Sequence, residues 1–114
     1  MWSVELEAQR HGAVAWRNNS GAALTREGRP VRYGLGNTSP ALNEKWKSSD
    51  YIGMMPDGRL LAMELKPAGW TFRGTPHERA QAAFLEDVRR RGGVAGFVTC
   101  PEDVARLVRT GGRG

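Results

Sequence analysis

Residues 75 to 99 constrain the fold more than any other part of the chain. Thr75-Pro76-His77-Glu78 is a helix start: Thr75 can cap, Pro76 suits the first helical position, and Glu78 completes a capping box. The helix runs to about Arg91, with Ala80, Phe84 and Val88 at four-residue spacing on its inner face. Gly92-Gly93 stops it. Val94 to Thr99 is then a short, continuously apolar run, the pattern of a buried strand. Pro101-Glu102-Asp103 opens a last helix to about Arg109, and residues 110–114 read as a frayed, flexible tail.

Upstream, residues 2–11 suit a short helix closed by Gly12. Ala13 to Arg17 reads as a strand and Asn18-Asn19-Ser20-Gly21 as a turn. Ala22-Ala23-Leu24 leads through the turn at Arg26-Glu27-Gly28-Arg29 to Val31-Arg32-Tyr33, a candidate hairpin. Residues 34–49 form a long loop, with one or two helical turns possible over 40–46. Asp50 to Met55 and Arg59 to Lys66 are two strands joined by Pro56-Asp57-Gly58. The order predicts an α/β fold: a central mixed β-sheet flanked by helices. A length of 114 residues suits one domain over 1–114, with a single core.

Composition narrows the class. Apolar residues are 39% and charged residues 25%, the balance of a soluble globular chain. No apolar run approaches the roughly 20 residues of a membrane span. Glu5 stands where a secretion signal would carry base, so no targeting segment is expected. The single cysteine, Cys100, excludes an internal disulfide and fits a reducing, cytoplasmic setting. The net charge is +5, and 14 of the 17 basic residues are Arg. Planar guanidinium groups suit phosphate, so nucleic acid is the first partner considered; the alternative is Arg as plain solvated surface.

Chemistry concentrates in Met63-Glu64-Leu65-Lys66-Pro67. Strand alternation puts Glu64 and Lys66 on one face, about 7 Å apart, with Leu61, Met63 and Leu65 on the other. Charged groups among apolar strand residues are costly to bury without a partner or a task. Register decides what faces them. A two-residue turn would set Asp50 opposite Leu65, on the wrong face. A three-residue loop with Gly58 left-handed pairs Met55 with Arg59, and therefore Asp50 with Glu64. Opposed residues lie about 4.5–5.5 Å apart, near enough for two carboxylates to share a hard cation beside the Lys66 amine. Mg²⁺ binds in this way, through one or two carboxylates plus substrate phosphate. The competing reading is a solvated surface ion-pair cluster.

Several segments together carry a resemblance. Ser48-Ser49-Asp50-Tyr51-Ile52-Gly53, Gly58-Arg59-Leu60-Leu61, Met63-Glu64-Leu65-Lys66, Gln81 and Gly92-Gly93-Val94-Ala95-Gly96 follow in order. With Trp16 to Gly21 and Arg32 to Gly36, they make the chain similar to the VRR-NUC (virus-type replication-repair nuclease) family of the PD-(D/E)xK superfamily, stand-alone phage or bacterial type. The resemblance implies a restriction-endonuclease-like core and Mg²⁺- or Mn²⁺-dependent cleavage of DNA, often branched. It implies Asp50, Glu64 and the Leu65 carbonyl as metal ligands, Lys66 as the catalytic lysine, and Gln81 as the site glutamine. The family's acidic residue on the opening helix has only Glu5 and Glu7 as candidates here. Residues 37–47 look like an insertion, whose Lys45, Trp46 and Lys47 suit single-stranded or branched DNA; Trp46 fits a cover over the core equally well.

Arg17, Arg32 and Arg73 are further candidates to grip nucleic acid, and a homodimer is expected for junction cleavage. A non-catalytic DNA-binding module of the same fold and an RNA-directed nuclease remain as alternatives. His11, His77 and Cys100 lack zinc-ligand spacing. Cys100 reads as a small buried or capping residue, and Arg89-Arg90-Arg91 as a solvated helix end.

Overall fold

The computed structural model describes residues 1–18, 21–24, 30–33 and 45–111, those of 21–24 and 30–33 as backbone only. The expected turn at 26–29, residues 34–44 of the expected loop, and most of the expected helical turns over 40–46 lie outside the described residues. So do the side chain of Arg32 and the last three residues of the tail.

The elements run α1 (Val4–Arg10), β1 (Val14–Arg17), β2 (Gly21–Leu24), β3 (Pro30–Tyr33), β4 (Tyr51–Met54), β5 (Leu60–Leu65), α2 (Pro76–Arg90), β6 (Val94–Val98) and α3 (Pro101–Thr110). Four strands form a mixed sheet in the order β1-β4-β5-β6. β1, β4 and β5 are antiparallel, and β6 lies parallel to β5. α2 makes the crossover that a parallel pair requires. The fold is therefore α/β with a mixed sheet flanked by helices. β2 and β3 pair as the expected hairpin, but they form a ribbon of their own rather than joining the main sheet.

Local chemistry sets the ends of the elements. Ser3 caps α1 by accepting from Leu6 N–H, so the helix starts two residues later than expected. Thr75 and Glu78 complete the capping box of α2. The tail corrects one expectation: Thr110 is helical, its hydroxyl donating to Arg106 O at 2.6 Å, and left-handed Gly111 at φ 63° ends α3. At the β4–β5 turn, Gly58 has φ 92°, Gly58 N–H donates to Met55 O at 2.8 Å, and Met55 N–H donates to Arg59 O at 2.8 Å. This is the three-residue loop that sets the register. Among the described pairs, Tyr51 faces Met63 and Met54 faces Leu60.

The sheet's two faces carry separate clusters. α1 and α3 cover one, with Val4, Ala8, Leu61, Met63, Val94, Val98 and Val104 at its centre. α2 covers the other, packing Phe84, Leu85 and Val88 on Ile52, Ala62 and Ala95. β6 thus lies at a sheet edge yet is covered on both faces, which explains its uninterrupted apolar run. Gly53 lets β1 approach β4: a methyl there would meet Val14 O at 2.0 Å and Ala15 Cα at 2.8 Å.

Candidate active site

Ile52 and Ala62 share the face under α2. Alternation along the strands places Asp50 and Glu64 on that same face, at the end of the β4–β5 pair. One step beyond Tyr51–Met63, the two meet. Asp50 N–H donates to Glu64 Oε2 at 2.9 Å, and Leu65 N–H donates to Asp50 Oδ2 at 3.1 Å. In an antiparallel pair, backbone groups of alternate residues face the partner strand. The Leu65 carbonyl therefore lies on the β4 side with its N–H, on the Asp50 flank.

α2 completes the cluster. Gln81, two turns from the Thr75 cap, is buried against the sheet. Its Nε2 donates to Glu64 Oε1, and its Oε1 accepts from Lys66 Nζ at 2.7 Å. His77, one turn earlier, has Nε2 at 3.2 Å from Gln81 Nε2; a neutral ring accepts there. The chain Lys66–Gln81–Glu64–Asp50 thus joins three of the expected residues through the fourth. Lys66 Nζ also lies 5.4 Å from the centre of the Trp70 ring and 5.9 Å from that of Phe97.

Charge is unbalanced here. Glu64 is only 5% exposed. Burial, and then the like charge of Asp50, raise its pKa from 4.5 to about 7, against the Asp50 N–H and the Lys66 charge, which lower it. Among the described residues no Lys or Arg forms an ion pair with either carboxylate; the ammonium of Lys66 is spent on the Gln81 amide. Two adjoining acids without a cationic partner, plus a backbone carbonyl, suit a hard divalent ion that keeps several waters. No group of three or more His, Cys, Asp or Glu that could hold a metal ion gathers among the described residues, so an ion at the acid pair would take its remaining ligands from the Leu65 carbonyl and water. His77 is held below its ordinary pKa by burial and then by the charges of Lys47 and Lys66.

The remaining candidates are distributed differently. Lys47 N–H donates to Ala80 O at 3.0 Å, which brings its side chain to the His77 side of the cluster. Trp46 packs edge-on against Phe84 with ring centres 4.7 Å apart, so it covers the core. Lys45 is exposed. Arg17 is exposed opposite Tyr51, and alternation puts it on the sheet face away from Asp50. Arg73 is exposed in the loop that follows Lys66. Leu65 is partly exposed rather than packed in the core. Glu7 is engaged by His11 at 3.1 Å and Arg10 at 3.5 Å, away from the cluster. Glu5 makes no hydrogen bond to the cluster among the described residues. Cys100 occupies the N-cap of α3 without a capping hydrogen bond; Asp103 caps Thr99 instead, at 2.9 Å. Arg89, Arg90 and Arg91 pair with Glu86 and Asp87 at the exposed helix end.

Two contributors escape sequence reasoning. Asn18 reads in the sequence as turn chemistry and as part of the Trp16 to Gly21 segment, with no contact to the site implied. Its amide donates to Ser48 Oγ at 3.1 Å and Ser49 O at 3.0 Å, and its N–H donates to Asp50 O at 2.7 Å, which pins the approach to Asp50. His77 joins through a four-residue spacing to Gln81, a signal visible only once Gln81 is known to face the sheet. No family model matches the chain, and no curated protein or solved structure is significantly similar to it.

Proposed function

We propose that this protein is a metal-dependent endonuclease that hydrolyses DNA phosphodiester bonds, structure-specific on branched DNA such as four-way junctions. The reading is that of a stand-alone VRR-NUC-like enzyme with a restriction-endonuclease-like core. One observation carries it: the joined set Asp50, Glu64, Gln81 and Lys66 at one strand end, with acids lacking a cation and an amine held beside them.

Asp50, Glu64 and the Leu65 carbonyl would hold Mg²⁺ or Mn²⁺. When bound, the ion polarises a phosphoryl oxygen and acidifies an attacking water. The protein's own groups do the rest. Gln81 fixes Glu64 and aims Lys66 through its two ends. Lys66 orients the nucleophilic water and offsets the charge that grows on the phosphoryl oxygens. Attack forms the new P–O bond as the water gives up a proton to solvent, the bond to the leaving sugar oxygen breaks, and that oxygen takes a proton from solvent. Lys47 and Arg73 supply positive charge on either flank for the strand. A homodimer would present two such sites to a junction, and a cytoplasmic setting in a bacterial or phage-infected cell suits the single cysteine.

The test is cleavage of labelled four-way, flap, splayed and linear DNAs, and of RNA, in Mg²⁺, Mn²⁺ or EDTA. Metal-dependent DNA cleavage is expected, with preference for branched forms. Lys66→Met keeps the stem and removes the amine, and should cost about a hundredfold or more in rate. Binding without metal-dependent nicking would replace this reading with a non-catalytic DNA-binding module. Cleavage of RNA alone would replace the substrate.

A further inference from the structure

The loop between β5 and α2 carries aromatic rings where a connecting loop is normally polar. Trp70 and Phe72 contact each other with ring centres 6.3 Å apart, and both meet Phe97 of β6, at 4.8 Å and 6.1 Å. Phe72 is 50% exposed. Single exposed apolar side chains need no explanation. Trp70 stands edge-on to Phe72 at 83°, and Phe97 is tilted by 39° to Trp70 and 50° to Phe72, so the three rings form a braced apolar surface that is not coplanar, with Phe72 half in water.

That surface is held still. The Glu78 carboxylate accepts from Trp70 Nε1–H at 2.9 Å, from Arg73 N–H at 3.0 Å and from Thr75 N–H at 3.1 Å. Trp70 N–H donates to Pro67 O at 3.1 Å. Gly69 at φ 82° and Gly74 at φ 76° make the bends on either side. One buried acid on α2 thus ties the aromatic loop to the helix that also carries Gln81. Ordering of this kind before binding removes a cost that a ligand would otherwise meet.

The position is as telling as the rigidity. Lys66, the amine of the candidate active site, sits within 5.4 Å and 5.9 Å of the Trp70 and Phe97 ring centres. Arg73 is exposed on the loop itself. The rings therefore continue directly from the cleavage site, bordered by positive charge. The face of one exposed ring beside cations complements a nucleotide, which has a flat π-surface and an anionic backbone. Inside a duplex, both faces of each base are already stacked on neighbours. Away from duplex ends, a base must leave its pair to use such a surface.

We propose that the exposed Phe72 ring, braced edge-on by Trp70 and backed by Phe97, is a stacking platform for an unpaired base of a DNA strand next to the bond being cut. This rests on the nuclease reading for its setting and supplies a physical basis for a preference for branched over fully paired DNA. A base frayed at a branch point would leave its partner, stack on the Phe72 ring, and carry its adjoining phosphate toward Lys66 and the acid pair.

The experiment measures binding in EDTA, so that cleavage plays no part. Fluorescence anisotropy compares the intact chain with Phe72→Ala, Trp70→Ala and Trp70→Phe, on a single-stranded oligonucleotide, a splayed duplex and a blunt duplex. The probe for stacking is 2-aminopurine placed in the unpaired arm, whose emission falls when the base stacks. Phe72→Ala and Trp70→Ala should weaken binding to single-stranded and splayed DNA by about 5- to 100-fold and restore the emission. Blunt-duplex affinity should stay close to that of the intact chain, and Trp70→Phe should keep most of the effect. Phe72 is half exposed, so its loss leaves the core intact; a thermal melt checks this. Equal losses on all three DNAs, or no loss on any, would overturn the platform. If metal-dependent cleavage is present but the affinities do not change, only the platform falls. If the intact chain cuts nothing, the nuclease reading falls and the binding result still stands by itself.

Discussion

Replacing Glu64 by Gln should remove a loss of stability that the metal-free protein suffers as pH rises. The Glu64 pKa rises from 4.5 to about 7 because of burial and then the Asp50 charge. A carboxyl raised on folding supports the fold fully below the unfolded value, near 4.5, and loses that support as pH climbs through about 7. At about 1.4 kcal/mol per pH unit, the loss approaches about 3 kcal/mol by pH 8. For a domain of this size, roughly 4 °C per kcal/mol makes that roughly 12 °C in Tm. His77 works in the opposite sense. Its lowered pKa supports the fold above 6.5 and less as pH falls, but the same group is present in both proteins and cancels in their difference.

The assay is thermal melting by circular dichroism in EDTA from about pH 5 to about pH 8, for the intact chain and Glu64→Gln. The variant cannot ionise at 64, so it should gain on the intact chain steadily with pH. Its amide offers one acceptor where the carboxylate offers two, to Gln81 and to Asp50 N–H, which trims the gain. Mg²⁺ should raise the Tm of the intact chain more at pH 8 than at pH 5, because the ionised pair is what draws a cation. Parallel melting curves for the two proteins across the range would refute the placement of Glu64 as a charge-strained acid.

Two further substitutions test the frame that carries the site. Gly53→Ala drives a methyl against Val14 O at 2.0 Å, so it should destabilise the chain by on the order of 3 kcal/mol or loosen β1 from the sheet, seen as a lowered urea midpoint and faster amide exchange in β1. Thr75→Ala removes the side-chain acceptor for Glu78 N–H and should cost about 1 kcal/mol by urea unfolding, with the Trp70 loop loosened as Glu78 loses its anchor.

Much of the frame was legible before any coordinates. Thr75-Pro76-His77-Glu78 marks the start of α2 because capping is local chemistry, settled within four residues. Pro56-Asp57-Gly58 likewise encodes its own turn, and from that turn the opposition of Asp50 to Glu64 follows by counting. The continuous apolar run of β6 announced burial on both faces. Other placements depend on residues distant in sequence. Arg17 is exposed on the sheet face away from Asp50 because it pairs with Tyr51, a partner 34 residues away. Trp46 had two readings until Phe84 supplied its neighbour. β2 and β3 read as a hairpin correctly, yet nothing within them tells that the hairpin stands apart from the main sheet.

Residue order by itself therefore determined the elements, the β4–β5 register and the meeting of two acids, because these rest on hydrogen bonds and alternation over a few positions. Tertiary packing alone decided what surrounds them. Seating α2 over Ile52 and Ala62 turned Gln81 toward Glu64 and Lys66, brought His77 and Lys47 to the cluster, and let Glu78 tie the aromatic loop down. A helix can present any of its sides to a sheet; the burial of Phe84, Leu85 and Val88 selects one, and the polar residues beside them follow.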